Sequence, residues 1–534
     1  MVAVCERIEE APVRQADDHD GIDWHQYVII GAGPAGIQLS YYLQQIDADY
    51  VTLERAAEPA EFFRRFPRHR RLISLNKVHS VSDDPEIRLR WDWNSLLHEP
   101  ADLPFANYSS EYFPHADDMV RYLGDFQRHH KLAVRFGVEV RRIERRDDHF
   151  LVHTEDQILG CRAVIVATGW GRPNVPAIRG IEHAVGYEDM QTDPAAYAGK
   201  RVLILGKGNS AFETASAILG QASMVHLASP RPLRLAWNTK HPGDVRGHHG
   251  AVLDSYQFKT LHSVLDCVVD EIRPREGGGY QVHLTYTHAD GETAVLDYEA
   301  VLRCTGFAMD TSIFDPACQP ELVASGRMPT TGPDWQSTNV DGLYFAGTLA
   351  QARDFKRASS AFIDGFRYNL RTLTALLRER YDEVPLAHTV AARDADALTT
   401  LTLDRINWSS ALWTQFEYLC DVLVVDETTG EVRHHVDLPE DLARSRFHDE
   451  PHYYTFGLRW GRDDYGDVFA IERHPEPHRA AESAFIHPVI RRYHGETLVD
   501  ELHLLEDLLA EWRRPDRHVE PLRAFFAREL ELRR

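Results

Sequence analysis

The stretch RVLILGKGNSAFETASAIL, residues 201–219, sets a short apolar strand against a glycine turn and the start of a helix. YVIIGAGPAGIQLSYYLQQ, residues 27–45, holds the same device. In this earlier copy, Tyr27 to Ile30 form a continuous apolar run, as in a strand buried on both faces of a parallel sheet. Gly31, Gly33 and Gly36 follow in G-x-G-x-x-G spacing, with Pro34 and Ala35 between the last two. The first glycine permits a tight turn, the second admits a pyrophosphate to the backbone, and the third lets helix and strand pack closely. The helix then offers unpaired N–H groups and its positive dipole end to phosphate. A second strand, DYVTLERA, ends at Glu54, eighteen residues past Gly36, with Arg55 next. A carboxylate at that place accepts hydrogen bonds from ribose hydroxyls.

The later copy reads Gly206, Gly208, Asn209, Ser210, with Ala211 as the tolerated small residue in the third place. Its second strand, SMVHLA, runs into Ser229, Pro230 and Arg231, with Arg234 close by, where the first copy has an acid. A carboxylate repels a 2′-phosphate, whereas a hydroxyl and a guanidinium bind one. The two cradles are therefore expected to hold different cofactors, FAD in the first and NADPH in the second. Hydride transfer from nicotinamide to flavin is chemistry that no side chain performs alone.

AVIVATGWGRPNVP (163–176) is a buried strand ending in a turn at Thr168 and Gly169, and AVLRCTGFAMD (300–310) repeats that ending at Thr305 and Gly306. These read as two crossings between a FAD domain and an inserted NADPH domain. Further on, a strand from Leu343 to Ala346 ends at Gly347. A helix expected to begin near Ser359 and Ser360 would point its positive end at the flavin. The expected fold class is α/β, with two Rossmann-like dinucleotide-binding domains and a smaller C-terminal α+β domain. The expected boundaries are a polar tail at 1–24, FAD-binding parts at 25–172 and 303–385, an inserted NADPH-binding domain at 173–302, and an accessory domain at 386–534. AARDADALTT (391–400) reads as a linker. LVDELHLLEDLLAEW (498–512) reads as an amphipathic helix, with apolar residues at 498, 502, 505, 509 and 512. Dimerisation into a homodimer, substrate delivery and lid formation are the expected roles of this last domain.

Composition excludes several classes. A chain of 534 residues has room for about three to four domains, and its formal charge of −23 argues against a nucleic-acid partner. Six cysteines without a CxxC give neither a disulfide framework nor zinc spacing, and they disfavour a disulfide-reductase role. No run of about 18 apolar residues indicates a membrane span, and no secretory signal is apparent, so a cytoplasmic protein is expected. HPGDVRGHHG (241–250) reads as a mobile loop over the nicotinamide; His241, His248 and His249 have only Asp244 nearby to complete a metal site. Asp463, Asp464 and Asp467 lack EF-hand spacing and read as a turn. No metal is expected.

The order GAGPAG, ATG crossing, G-x-G-N-S-x-x-E and second T-G crossing resembles the two-dinucleotide-binding flavoproteins, and more narrowly the flavin-containing monooxygenase-like group. The segments FPRHRRLISLNK, LRWDWNSLL, YFPHADDMVRYLGDF, SAFIDGFRY and FIHPVIRRY extend the resemblance over nearly the whole chain, toward the FAD-dependent oxidoreductase domain-containing flavoproteins of the endoplasmic reticulum. IRGIEHAVGYEDMQ (178–191) departs from the FxGxxxHxxx(Y/W) pattern common in the monooxygenase group. The resemblance implies that Asn76 lies near the reacting edge of the flavin, where a side-chain amide can hydrogen-bond a flavin hydroperoxide. Lys77 is the expected acid or charge partner, and Arg68 to Arg71 the expected substrate entrance. The implied activity is an FAD-dependent, NADPH-using monooxygenase. It would form a C4a-hydroperoxyflavin with molecular oxygen and oxygenate a nucleophilic N, S or C of a small-molecule substrate. An NADPH:acceptor oxidoreductase or oxidase, a halogenating relative, and a flavin-bearing redox-sensing scaffold remain open at this point.

Overall fold

The structure, a computed structural model, describes residues 21–241, 243–256, 259–462 and 470–531. The expected aspartate turn at 463–467 and residues 1–20 of the expected tail lie outside them.

The first sheet grows from Asp23–Ile30, which begins inside the last residues assigned to the polar tail. Tyr27, Val28 and Ile29 are fully buried, because parallel neighbours flank the strand and apolar clusters cover both faces of the sheet. Tyr50–Glu54 pairs on one side and Ile158–Val166 on the other, both parallel. The short strand Leu343–Phe345 returns from much later in the chain to pair parallel with the end of Ile158–Val166. An antiparallel meander, Arg142–Arg146 and His149–His153, completes the far edge.

The second sheet repeats this plan. Arg201–Leu205 lies between Met224–Ser229 and Ala300–Arg303, all parallel, and Ser263–Pro274, Tyr280–Tyr286 and Thr293–Tyr298 form its antiparallel flank. The expected α/β class with two Rossmann-like units therefore holds. Between the sheets the chain crosses twice, side by side. Pro173 pairs with Phe307 and Arg172 with Ala308 in a two-stranded ribbon, and Thr305 Oγ1 donates to the Asn174 carbonyl at 2.5 Å.

The C-terminal region differs from expectation in two places. The supposed linker at 391–400 contains the end of strand Thr389–Ala392 and the start of helix Ala395–Trp408. The Asp394 side chain caps that helix by accepting the Ala397 N–H at 2.9 Å. The supposed helix at 498–512 begins as the strand Thr497–His503, paired antiparallel with His487–His494 through a turn at Gly495. Its leucines fit a helical period by coincidence. Leu508 and Leu509 are largely exposed, whereas Trp512 is fully buried against the helix Glu520–Glu531 and its neighbours. The domain is a six-stranded antiparallel sheet with these helices packed against it. No helix among the described residues is long and apolar enough to cross a membrane.

Candidate active site

Two uncapped helix starts open on one cavity. The helix Pro34–Gln45 begins after Gly33 and the helix Asn209–Ile218 after Gly208, and neither glycine supplies a side-chain cap. The first-turn N–H groups are thus left for a ligand. A Cβ built at Gly33 or Gly208 would meet nothing within 4 Å, so the space beside each turn is open. Gly31 and Gly206 adopt φ of +104° and +120°, which only glycine takes without strain. At Gly36 a Cβ would overlap the Gly31 carbonyl, which explains the third glycine; Ala211 fills that place in the second cradle. Both sites fit a dinucleotide pyrophosphate.

Glu54 is buried at the end of its strand and braces the first turn. Its carboxylate accepts the Ala32 N–H at 2.7 Å and the Ala56 N–H at 2.9 Å. Arg55 beside it is exposed. In the second cradle, Asn209 ties down the loop expected to be mobile. Its Nδ2 donates to the carbonyls of Gly243 and Asp244, and its Oδ1 accepts the Arg246 N–H. Asp244 is engaged by Lys356 and Arg234, and among the described residues no cluster fit for a metal occurs. Ser229 donates to the Arg231 carbonyl at 3.3 Å, and Arg231 is exposed at the strand end.

The cavity has a volume of about 750 Å³. Gly33, Pro34, Ala35, Thr168, Gly169, Asn209, Ser210 and Ser359 line it, so residues singled out from distant parts of the sequence do converge. Thr305 and Gly306 instead form the crossing, and Gly347, at φ +64°, packs beside Ala35. The late helix starts at Ile363, four residues beyond the expected Ser359, and Phe362, Ile363 and Asp364 line the cavity. Ser360 is fully buried; its Oγ accepts from Asn369 and from Gln415 of the C-terminal domain.

Asn76 does not reach the cavity. It is buried with Nδ2 donating to the Ser109 carbonyl at 2.6 Å, which turns its amide into a brace between two loops. Lys77, its neighbour, does line the cavity. Its Nζ donates to the Trp91 carbonyl at 3.1 Å and sits 3.9 Å from the Trp93 ring centroid. Burial pulls its ammonium down to about 8. Of the expected basic entrance only Arg71 faces the cavity; Arg68 holds the Met190 carbonyl and Arg70 pairs with Asp117.

Sequence reasoning missed three features. Glu213 and Asp364 line the cavity with carboxyls raised to about 7 by burial; Glu213 accepts from Tyr187 Oη at 2.7 Å. His249, pushed down to about 4 by burial, lines it with both ring nitrogens lacking a partner among the described residues. The C-terminal domain supplies Trp413, Phe416 and Trp460 to the wall. The legible signals were the glutamate that ends G-x-G-N-S-x-x-E, which is Glu213, and the tryptophans of LRWDWNSLL, of which Trp91 meets Trp413 edge-on.

Residues 28–347 match the family described as pyridine nucleotide-disulphide oxidoreductase. The chain belongs to this family. This flavoprotein is 33% identical to mouse (Mus musculus) FAD-dependent oxidoreductase domain-containing protein 2, over 93% of this chain and 83% of the mouse protein. It is 32% identical to the protein of the same name from Danio rerio, over 94% and 82% respectively. Among solved structures it shares the fold of a flavin-containing monooxygenase from Stenotrophomonas maltophilia, with a TM-score of 0.53 and 21% identity over 67% of this chain and 99% of that one. The expected cofactors, FAD and NADPH, accord with this family. Despite the family's name, the described cysteines, Cys161, Cys267, Cys304, Cys318 and Cys420, are buried single thiols, and none lines the cavity.

Proposed function

We propose that this flavoprotein is an NADPH-using monooxygenase of small molecules. The carrying observation is that both cradle helices open on one largely apolar cavity, and the described residues offer the flavin no thiol pair as electron acceptor there. The flavin, when bound, supplies hydride acceptance and oxygen activation. The chain's own part is to position the two dinucleotides, exclude water and hold protons. The aromatic wall and the second loop tethered by Asn209 would exclude bulk water once the cofactors and substrate fill the chamber, which strengthens every polar contact inside. Glu213 and Asp364 hold protons near neutral pH, so each is poised to give or take one at the cavity surface. The balance is one NADPH, one oxygen molecule and one proton consumed per oxygenated product, with NADP⁺ and water released. Arg231, exposed at the strand end, and the half-buried Ser229 beside it support NADPH over NADH.

Turnover under ¹⁸O-labelled oxygen tests this reading. One labelled atom in product per NADPH consumed supports it. Peroxide equal to NADPH consumed, with unlabelled product for every substrate class, makes the protein an oxidase.

A further inference from the structure

The chain carries a formal charge of −23, yet its cavity has the opposite balance. Arg71, Lys77, Arg90, Lys240 and Arg246 line it, against Glu213 and Asp364 among the described residues. Burial raises both of those carboxyls to about 7, so neither is a full counter-charge at neutral pH. Within this excess, two cations converge on one indole. Lys77 Nζ lies 3.9 Å and the Arg246 guanidinium carbon 5.3 Å from the Trp93 ring centroid. All three residues are half-buried and line the cavity, so they keep surface open to it.

The pair is not neutralised from within the protein. Lys77 Nζ gives one of its three N–H groups to the Trp91 carbonyl at 3.1 Å. The Arg246 side chain makes no hydrogen bond or ion pair among the described residues; only its backbone N–H is held, by Asn209. Asp92, beside Trp93, turns its carboxylate to its own loop, accepting the N–H groups of Asn94 at 2.8 Å and Ser95 at 2.9 Å. Burial and the charge of Arg246 pull the Lys77 ammonium down, against a weaker upward pull from Asp364 and Asp92. Two like charges in a partly desolvated place repel, and a shared anion relieves both. The free guanidinium fork and the remaining ammonium donors suit the two oxygens of one carboxylate. An apolar surface begins at once beside them, since Trp91 meets Trp413 edge-on at 4.9 Å.

The pyrophosphates have their own donors at the helix starts after Gly33 and Gly208. Lys77 stands in the flavin half and Arg246 in the loop of the inserted half, so the pair spans the junction between them. We propose that Lys77 and Arg246 form the anion-binding end of the substrate chamber, holding the carboxylate of a small organic acid whose apolar body lies against Trp91 and Trp413. The inference rests on the reading of the cavity as a substrate chamber, and it is independent of where the oxygen goes.

The test is calorimetric titration of the oxidised, FAD-loaded protein without NADPH, with phenylacetate and its uncharged amide as probes. At pH 7 the acid is expected to bind at least about ten-fold more tightly than the amide. In Arg246→Gln and in Lys77→Met the preference is expected to fall to about three-fold or less. In the native protein the acid's affinity should also fall about five-fold between pH 7 and 9.5, with the amide's unchanged. That arm decides the matter if neither variant folds. Equal binding of acid and amide by the native protein overturns the proposal, as does failure of both to bind at millimolar concentration. An acid affinity that does not fall with pH overturns it, and so does a preference retained in either variant. Retained preference with NADP⁺ affinity lowered about ten-fold would give the pair to the coenzyme phosphates instead. Loss of FAD from both variants would assign the pair to the flavin and overturn it. Because no turnover is read, a protein that proves to be an oxidase still passes or fails this test on its own terms.

Discussion

Gln415, in the C-terminal domain, donates to Ser360 Oγ at 3.0 Å while its Oε1 accepts the Ser359 N–H at 2.9 Å. Its side chain is fully buried and also donates to Asn369 at 2.7 Å, so one amide holds the turn that leads into the cavity-lining helix start. Gln415→Ala leaves several buried polar groups without partners, each worth about 1–3 kcal/mol. The expected result is a thermal midpoint lowered by several degrees and weaker FAD retention, both read by following flavin fluorescence on heating. An unchanged midpoint would show that the C-terminal domain does not brace the site.

The two cradles should fail separately. Gly36→Ala drives a methyl group into the Gly31 carbonyl and is expected to yield protein without flavin, seen as loss of visible absorbance. Gly208→Ala meets no protein atom within 4 Å, so the fold and the flavin should survive. The added methyl fills the space a pyrophosphate needs, and KM for NADPH should rise by about ten-fold or more. Steady-state kinetics alongside flavin content separate the two outcomes.

Arg231→Ala is expected to reduce the ratio of kcat/KM for NADPH over NADH by about ten-fold, through loss of a charged contact to the 2′-phosphate. The NADH value itself should hold steady. An unchanged ratio would move coenzyme choice to another residue.

Lys77 gives a pH dependence with a defined sign. Burial lowers its folded-state value from 10.5 to about 8. Above about 8 the folded protein loses this cation, so binding of an anionic aromatic ligand should weaken as pH rises through 8. Lys77→Met should remove that limb. Stability runs the other way: between about 8 and 10.5 the unfolded chain binds a proton that the fold does not, so this residue's contribution becomes less unfavourable as pH rises. Ligand titration and denaturant melts across pH 7–10 check both.

The cradles were legible because each is a local pattern: an apolar run, glycines at fixed offsets, and a strand end with a telling residue. Gly31 and Gly206 need their positive φ wherever the rest of the chain goes. Thr497–His503 was misread because its pairing with His487–His494 is a long-range choice, and leucines at 498, 502 and 505 satisfy a helical period as readily. Asn76 and Lys77 are adjacent in sequence, yet the Asn76 amide goes to the Ser109 carbonyl and the Lys77 side chain to the cavity. Arg90 meets Trp413 only because two domains close on each other, and nothing at either position announces the other.

The ribbon where Pro173 faces Phe307, locked by Asn174 and Thr305, brings the two ends of the inserted half together. Its entry and exit lie on neighbouring strands, so the corresponding segment of a relative can be spliced in at the same two points without lengthening either connection. On the proposed function, coenzyme choice is expected to travel with that segment, while the flavin half and the tryptophan-lined chamber wall keep their own sequence.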